Sequence, residues 1–185
     1  MSILKVNTIQ DKGGNNLLVS DGAGTISSGG LMTMTPAFHA KRTSAQTGVT
    51  DNTITKVQCD VEVFDSNSCY DNSTNYRFTP TVAGKYYIYG AVLGANSGFS
   101  NDILNQVFAV IYKNGSQYTR NEWAFSTNYL RYVTPTVASV IDFNGSTDYV
   151  ELYGQVDSTD GSAVQFYGST GAEYTIFGGY RIIGA

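Results

Sequence analysis

Along this chain of 185 residues, apolar and polar positions follow the two-residue period of strands, and no window carries the 3.6-residue period of a helix. One stretch breaks the alternation. In Phe78–Leu93 (FTPTVAGKYYIYGAVL), a turn with Pro80 and Gly84 feeds a strand that is apolar or aromatic on both sides. Tyr86, Ile88 and Val92 point one way, while Tyr87, Tyr89, Ala91 and Leu93 point the other. A strand with one wet face reads apolar–polar, so both faces of this one need cover. The domain's own core can cover one face. The other requires a second sheet or a second subunit. The last stretch, EYTIFGGYRIIG (173–184), has the same character, with Tyr174, Ile176, Tyr180 and Ile182 on one side and Phe177 and Ile183 on the other. Gly178 and Gly179 allow a neighbouring backbone or ring to come close.

Between these stretches lie further short strands separated by turn residues. PAFHAKRT (36–43), ITKVQCDVEVF (54–64) and NYRFTP (75–80) precede the central strand. After it, residues 105–125 read as a hairpin turning on Asn114-Gly115, the strongest hairpin signal in the chain. TPTVASVIDF and DYVELYGQV read as a second hairpin around FNGSTD (143–148). About ten strands without a helix predict an all-β sandwich over residues 36–185, long enough to hold a core without staples.

Residues 1–35 are different. They hold six of the 20 glycines and only short strand-like pieces, LKVNTIQ and NLLVS, then DGAG and TIS. No piece can bury a core of its own, so partner chains are expected to order them. A flexible tail is the other reading.

Composition removes several function classes. A net charge of -4 without a basic stripe argues against nucleic acid. No apolar run reaches the ~20 residues of a membrane helix, and Ser2–Gln10 lacks the apolar core of a signal peptide. Synthesis and folding in a cytosol are expected. Cys59 and Cys69 can pair or stay free, and a reducing compartment favours buried free thiols. There is no CxxC, and His39 is the only histidine, so neither a metal nor any other cofactor is expected. His39 reads as a strand residue rather than part of a catalytic triad. Glu62, Glu122, Glu151 and Glu173 stand singly, with no evident carboxylate pair. The Asp- and Asn-rich loops 65–73, 94–102 and 157–163 admit calcium, but lack an EF-hand frame and are explained by turn chemistry. In NEWAFSTNYLRY (121–132), a loop by pattern, Trp123, Phe125, Tyr129 and Arg131 suit contact with a sugar or a protein. They equally suit filling the end of the sandwich or a subunit interface.

The spacing of Phe78, Gly84 and Tyr86, preceded by Asp65 and Tyr70, resembles the signature of C1q/TNF-like jelly-roll domains. It departs from that signature by one extra residue between Tyr70 and Phe78, by Ile88, and by Gly90 at an aromatic position. YKNGSQY, DYVELYGQV and YTIFGGYRII resemble the later strands in the usual order. The resemblance implies a homotrimer whose C-terminal strand lies beside the early strands and lines the three-fold axis. Tyr87, Tyr89, Leu93, Phe177 and Tyr180 then become candidates for the trimer interface. The opening SILKVNTIQDKGG…LLVSDGAGTI resembles the attachment segment of bacteriophage tail-fibre and other virion-appendage proteins. It marks Ile3, Leu4, Val6 and Ile9 as candidate contacts to other virion proteins. Together these imply a non-enzymatic virion protein made in the host cytoplasm, a trimeric fibre or spike. Its head would bind a host-surface glycan or protein or decorate the particle. A glycan depolymerase is the alternative.

Overall fold

The computed structural model describes residues 7–20, 22–23, 26–28 and 34–184. The chain divides into two compact units, residues 1–34 and residues 35–183. In the first, β1 (Thr8–Gln10), β2 (Asn16–Ser20) and β3 (Ile26–Ser28) form an antiparallel sheet in that order. The turn between β1 and β2 is organised by Asp11, whose carboxylate accepts from the backbone N–H of Gly13 and Asn15 and from the Asn15 amide. These bonds, led by the Asn15 side chain, hold Asp11 below the usual carboxylate range.

The second unit begins with β4 (Ala37–Lys41), β5 (Gln46–Val49), β6 (Thr55–Lys56), β7 (Val61–Asp65), β8 (Tyr70–Asp71) and β9 (Arg77–Phe78). The central strand β10 (Gly84–Ala91) follows, then β11 (Gly94–Asn96) and a single 3₁₀ turn. The second half holds β12 (Leu104–Lys113), β13 (Ser116–Ala124), β14 (Tyr132–Val133), β15 (Thr136–Phe143), β16 (Val150–Ser158), β17 (Val164–Phe166) and β18 (Ile176–Arg181). One sheet has the order β15-β10-β18-β4-β7; the other runs β13-β12-β16-β9-β8, with β6 also on β16. A third sheet, β14-β11-β17-β5, completes the unit. All pairings among the described residues are antiparallel, and most of the buried apolar side chains form one core cluster.

The aromatic part of that core centres on Phe38. Its ring stacks on Phe78 at 4.3 Å and on Tyr70 at 4.9 Å, and meets Phe177 edge-on at 5.1 Å. The buried Tyr70 hydroxyl donates to the Cys59 carbonyl at 3.0 Å, which removes the penalty of burying it. Cys59 and Cys69 are free and buried, and burial pushes the Cys59 thiol up, away from reactivity.

Asn114 and Gly115 both have positive φ, 51° and 77°, as a type I′ hairpin turn requires. The second expected hairpin does not exist. β15 pairs with β10, whereas β16 lies between β12 and β9 in the other sheet. FNGSTD is a crossing between layers, held by Asn144 Oδ1 accepting from the backbone N–H of Ser146 and Thr147. Residues 54–64 also change sheets: β6 joins β16, β7 joins β4, and the buried Val57 and Cys59 fill the passage between. Loop 94–102 begins as a buried strand, β11, rather than as a polar loop.

Candidate functional site

The outer face of the five-stranded sheet is where the sequence demanded a covering. Tyr86 and Ile88 are fully buried in the core, so Tyr87 and Tyr89 must point outward. Register then sets what stands beside them. One row across all five strands reads Ala138, Tyr89, Gly178, His39 and Phe64. The next reads Val140, Tyr87, Tyr180 and Ala37. A third joins Thr136, Ala91, Ile176, Lys41 and Val61.

This is the composition of an interior, yet Phe64 is 51% exposed, Val140 48% and Tyr180 38%. The rings are ordered against each other: Tyr87 lies 5.6 Å from Tyr180 and 6.1 Å from Tyr89, and His39 lies 5.9 Å from Tyr89 and 6.3 Å from Phe64. Charges sit at the margins in pairs, Lys85 with Asp142 at 2.8 Å and Lys41 with Glu173 at 3.8 Å. Exposed apolar faces of this kind are commonly interaction surfaces.

His39 links the face together. Its Nε2 is 3.0 Å from Glu173 Oε2 and its Nδ1 is 2.9 Å from the Tyr89 hydroxyl. A carboxylate only accepts, so Nε2 carries the proton and donates; in the neutral ring, Nδ1 then accepts from Tyr89. The order hydroxyl, imidazole, carboxylate is that of a nucleophilic triad. Its electrostatics run the other way. Burial raises the Tyr89 hydroxyl, and the Glu173 charge adds to the effect, whereas an activated nucleophile needs the reverse. The relay fixes the rings in place.

The structure corrects two of the expected interface residues. Phe177 pairs with Gly90, faces inward and is fully buried against Phe38 and Tyr70. Its cross-strand partner Gly90 has no side chain, and that space is taken by Leu152, whose Cδ1 would lie 2.6 Å from a Cβ at Gly90. Leu93 lies beyond β10, is only 4% exposed, and so offers no surface to a partner. Tyr87, Tyr89 and Tyr180 share the open face. Ile176 joins them on the side of β18 that the alternation gave to Tyr180, whereas Phe64 and Val140 escaped sequence reasoning because they come from other strands. The signal at His39 was the alternation of PAFHAKR, which puts Phe38 and Ala40 inward and His39 and Lys41 outward.

Of the candidate ligand contacts, Trp123 lies on the edge strand β13 rather than in a loop, because it pairs with Val107. It is 50% exposed, with its ring 6.3 Å from Phe125. The Tyr129 hydroxyl donates to the Ser126 carbonyl, and Arg131 pairs with Asp102 at 3.0 Å. Ile9 is exposed on β1; Ile3, Leu4 and Val6 lie outside the described residues. The glutamates are engaged separately: Glu151 is buried on Lys56 and Glu122 pairs with Arg120 at 2.9 Å. In the loop 65–73, Asp71 accepts from the backbone of Ser73, Thr74 and Asn75, the role of a turn residue.

No protein-family profile and no curated protein matches this sequence. Solved structures do resemble the fold. Murine APRIL at pH 5.0 superposes with a TM-score of 0.55 at 13% identity, covering 79% of this chain and 98% of that one. Eiger TNF from S. frugiperda superposes with a TM-score of 0.54 at 10% identity, covering 80% and 93%. At these identities the likeness is one of fold: the chain has the jelly-roll sandwich seen in these structures.

Proposed function

We propose that this chain is a non-catalytic assembly and binding module, a homotrimer in which the outer face of the five-stranded sheet is buried between subunits. One observation carries the reading: a face built from Tyr87, Tyr89, Tyr180, Ile176, Val140 and Phe64 is left without cover by the described residues of the second unit. Each ring can bury on the order of 150–250 Å², and rotational symmetry repeats that gain in every subunit. The jelly-roll fold supports three-fold assembly as the closed form. The resemblance of residues 2–26 to virion-appendage segments supports a place on a phage particle. Residues 1–35 then attach the trimer to other virion proteins, and the sandwich is the head presented to a host surface. Sedimentation equilibrium of the whole chain tests the assembly. Three times the 20.0 kDa chain mass is the result expected; a single chain mass at micromolar concentration contradicts it.

A further inference from the structure

We propose that the two hollows flanking the Leu104–Leu130 bridge form a binding site for a neutral oligosaccharide. The proposal rests on the reading of the sandwich as a binding module and names the ligand class for it. Leu104 and Leu130 exchange backbone hydrogen bonds of 2.8 and 3.2 Å, which fix the chain on either side. One hollow, of about 330 Å³, is lined by Asn105, Gln106, Ala124, Phe125 and Ser126. The other, of about 420 Å³, is lined by Asp102, Leu130, Arg131 and Tyr132. Asp102 and Asn105 are three residue steps apart, at most about 10 Å of chain, so one short oligomer can reach both hollows.

The chemistry of the walls selects the ligand. Each hollow combines an aromatic ring with planar polar groups. Phe125, with Trp123 beside it, supplies a ring to the first, and the half-exposed Tyr132 supplies one to the second. Such rings take the C–H face of a pyranose while their edges stay wet. Asn105 brings a planar amide to the wall of the first hollow, while its Oδ1 is closed off from solvent without a hydrogen-bond partner. Arg131 spends only its Nε–H on Asp102, and the pair presents donors and acceptors together with no net charge. A phosphate, sulfate or sialic acid needs an unpaired cation, which this ion pair does not provide. A protein partner would prefer a flatter, drier patch with an apolar centre.

Trp123 is the chain's single tryptophan and its ring lies 6.3 Å from Phe125 of the first hollow, so its emission reports on changes at that ring. The whole protein is applied to a microarray carrying neutral, uronic-acid, sialylated and sulfated glycans, and retained glycans are titrated by Trp123 fluorescence. The expected result is retention of a neutral glycan with a saturable change in emission. Affinity should fall at least tenfold in Asn105→Ala and in Arg131→Ala, and stay unchanged in Gln117→Ala, on the far end of β13. Retention of charged glycans only, retention of none, capture only by protein spots on the same array, or binding that survives both substitutions overturns the proposal. Light scattering of the same preparation separates the two readings. A trimer that ignores neutral glycans defeats this inference alone, and a monomer that binds them defeats only the assembly.

Discussion

The Tyr89 ring lies directly over Gly178, its partner across β10 and β18, so closely that a Cβ on Gly178 would overlap the ring. That contact lays the ring flat and carries its hydroxyl to His39 Nδ1. Gly178→Ala should therefore lift Tyr89, break the link to His39 and disturb the whole row. Forcing a methyl into a packed contact costs about 1–3 kcal/mol. A lowered melting temperature together with partial dissociation on gel filtration is expected; wild-type behaviour in both would show that the row is not shared with a partner.

Phe177→Ala separates core from interface. Its ring fills the centre of the chain's own sandwich, so the loss is about 3–5 kcal/mol of folding stability. For a chain of this size that lowers the melting temperature on the order of 10 °C. The folded fraction should keep its oligomeric state, as light scattering will show. Dissociation into well-folded monomers would return Phe177 to the interface.

These two residues also show what the sequence could and could not reveal. Alternation in β10 put Tyr87 and Tyr89 on one face and Tyr86 and Ile88 on the other, and only the resemblance to C1q/TNF-like domains named the first pair as candidates for the outer face. In β18 the same alternation separated Phe177 from Tyr180, but which side meets the core is not a local property. Packing from other strands decides it, by seating Phe177 against Phe38 and Tyr70. The hairpin at Asn114-Gly115 was legible because two positive φ angles demand particular residues. The β15 to β16 connection was not, because a loop of Asn, Gly, Ser and Asp serves a hairpin and a crossing between sheets equally well. Asn105 carried no sequence signal at all; only the fold leaves its oxygen without a partner.

Acid should loosen the turn after β8. Asp71 is held well below the usual carboxylate range, first by the backbone N–H of Thr74 and also by Ser73 and Asn75. A depressed carboxylate stabilises the fold at pH above its unfolded value of about 3.9, and that contribution disappears as pH falls toward the folded value. Thermal melts between pH 7 and pH 2 should show stability falling below about pH 4. Asp71→Asn should melt lower at neutral pH and lose less on acidification. Equal acid sensitivity in variant and wild type would place the effect elsewhere.

Deleting residues 1–31 should leave a folded head, since the core cluster begins at Phe38. Circular dichroism should keep its β signature, with a melting transition close to that of the whole chain. Assembly onto particles, scored by immunogold labelling, should be lost. A truncated protein that fails to fold would make the first unit part of the head.

The central claim is that the Tyr89 face joins subunits, and Tyr89→Asp tests it most directly. A charge there would be desolvated in every subunit, beside Glu173 and facing its own copies. Light scattering should report three chain masses for the wild type and for Ser100→Asp on an exposed loop. Tyr89→Asp should give one chain mass, with circular dichroism showing an intact sandwich, or aggregate. If Tyr89→Asp remains a trimer with wild-type thermal stability, the outer face of the five-stranded sheet is not the interface.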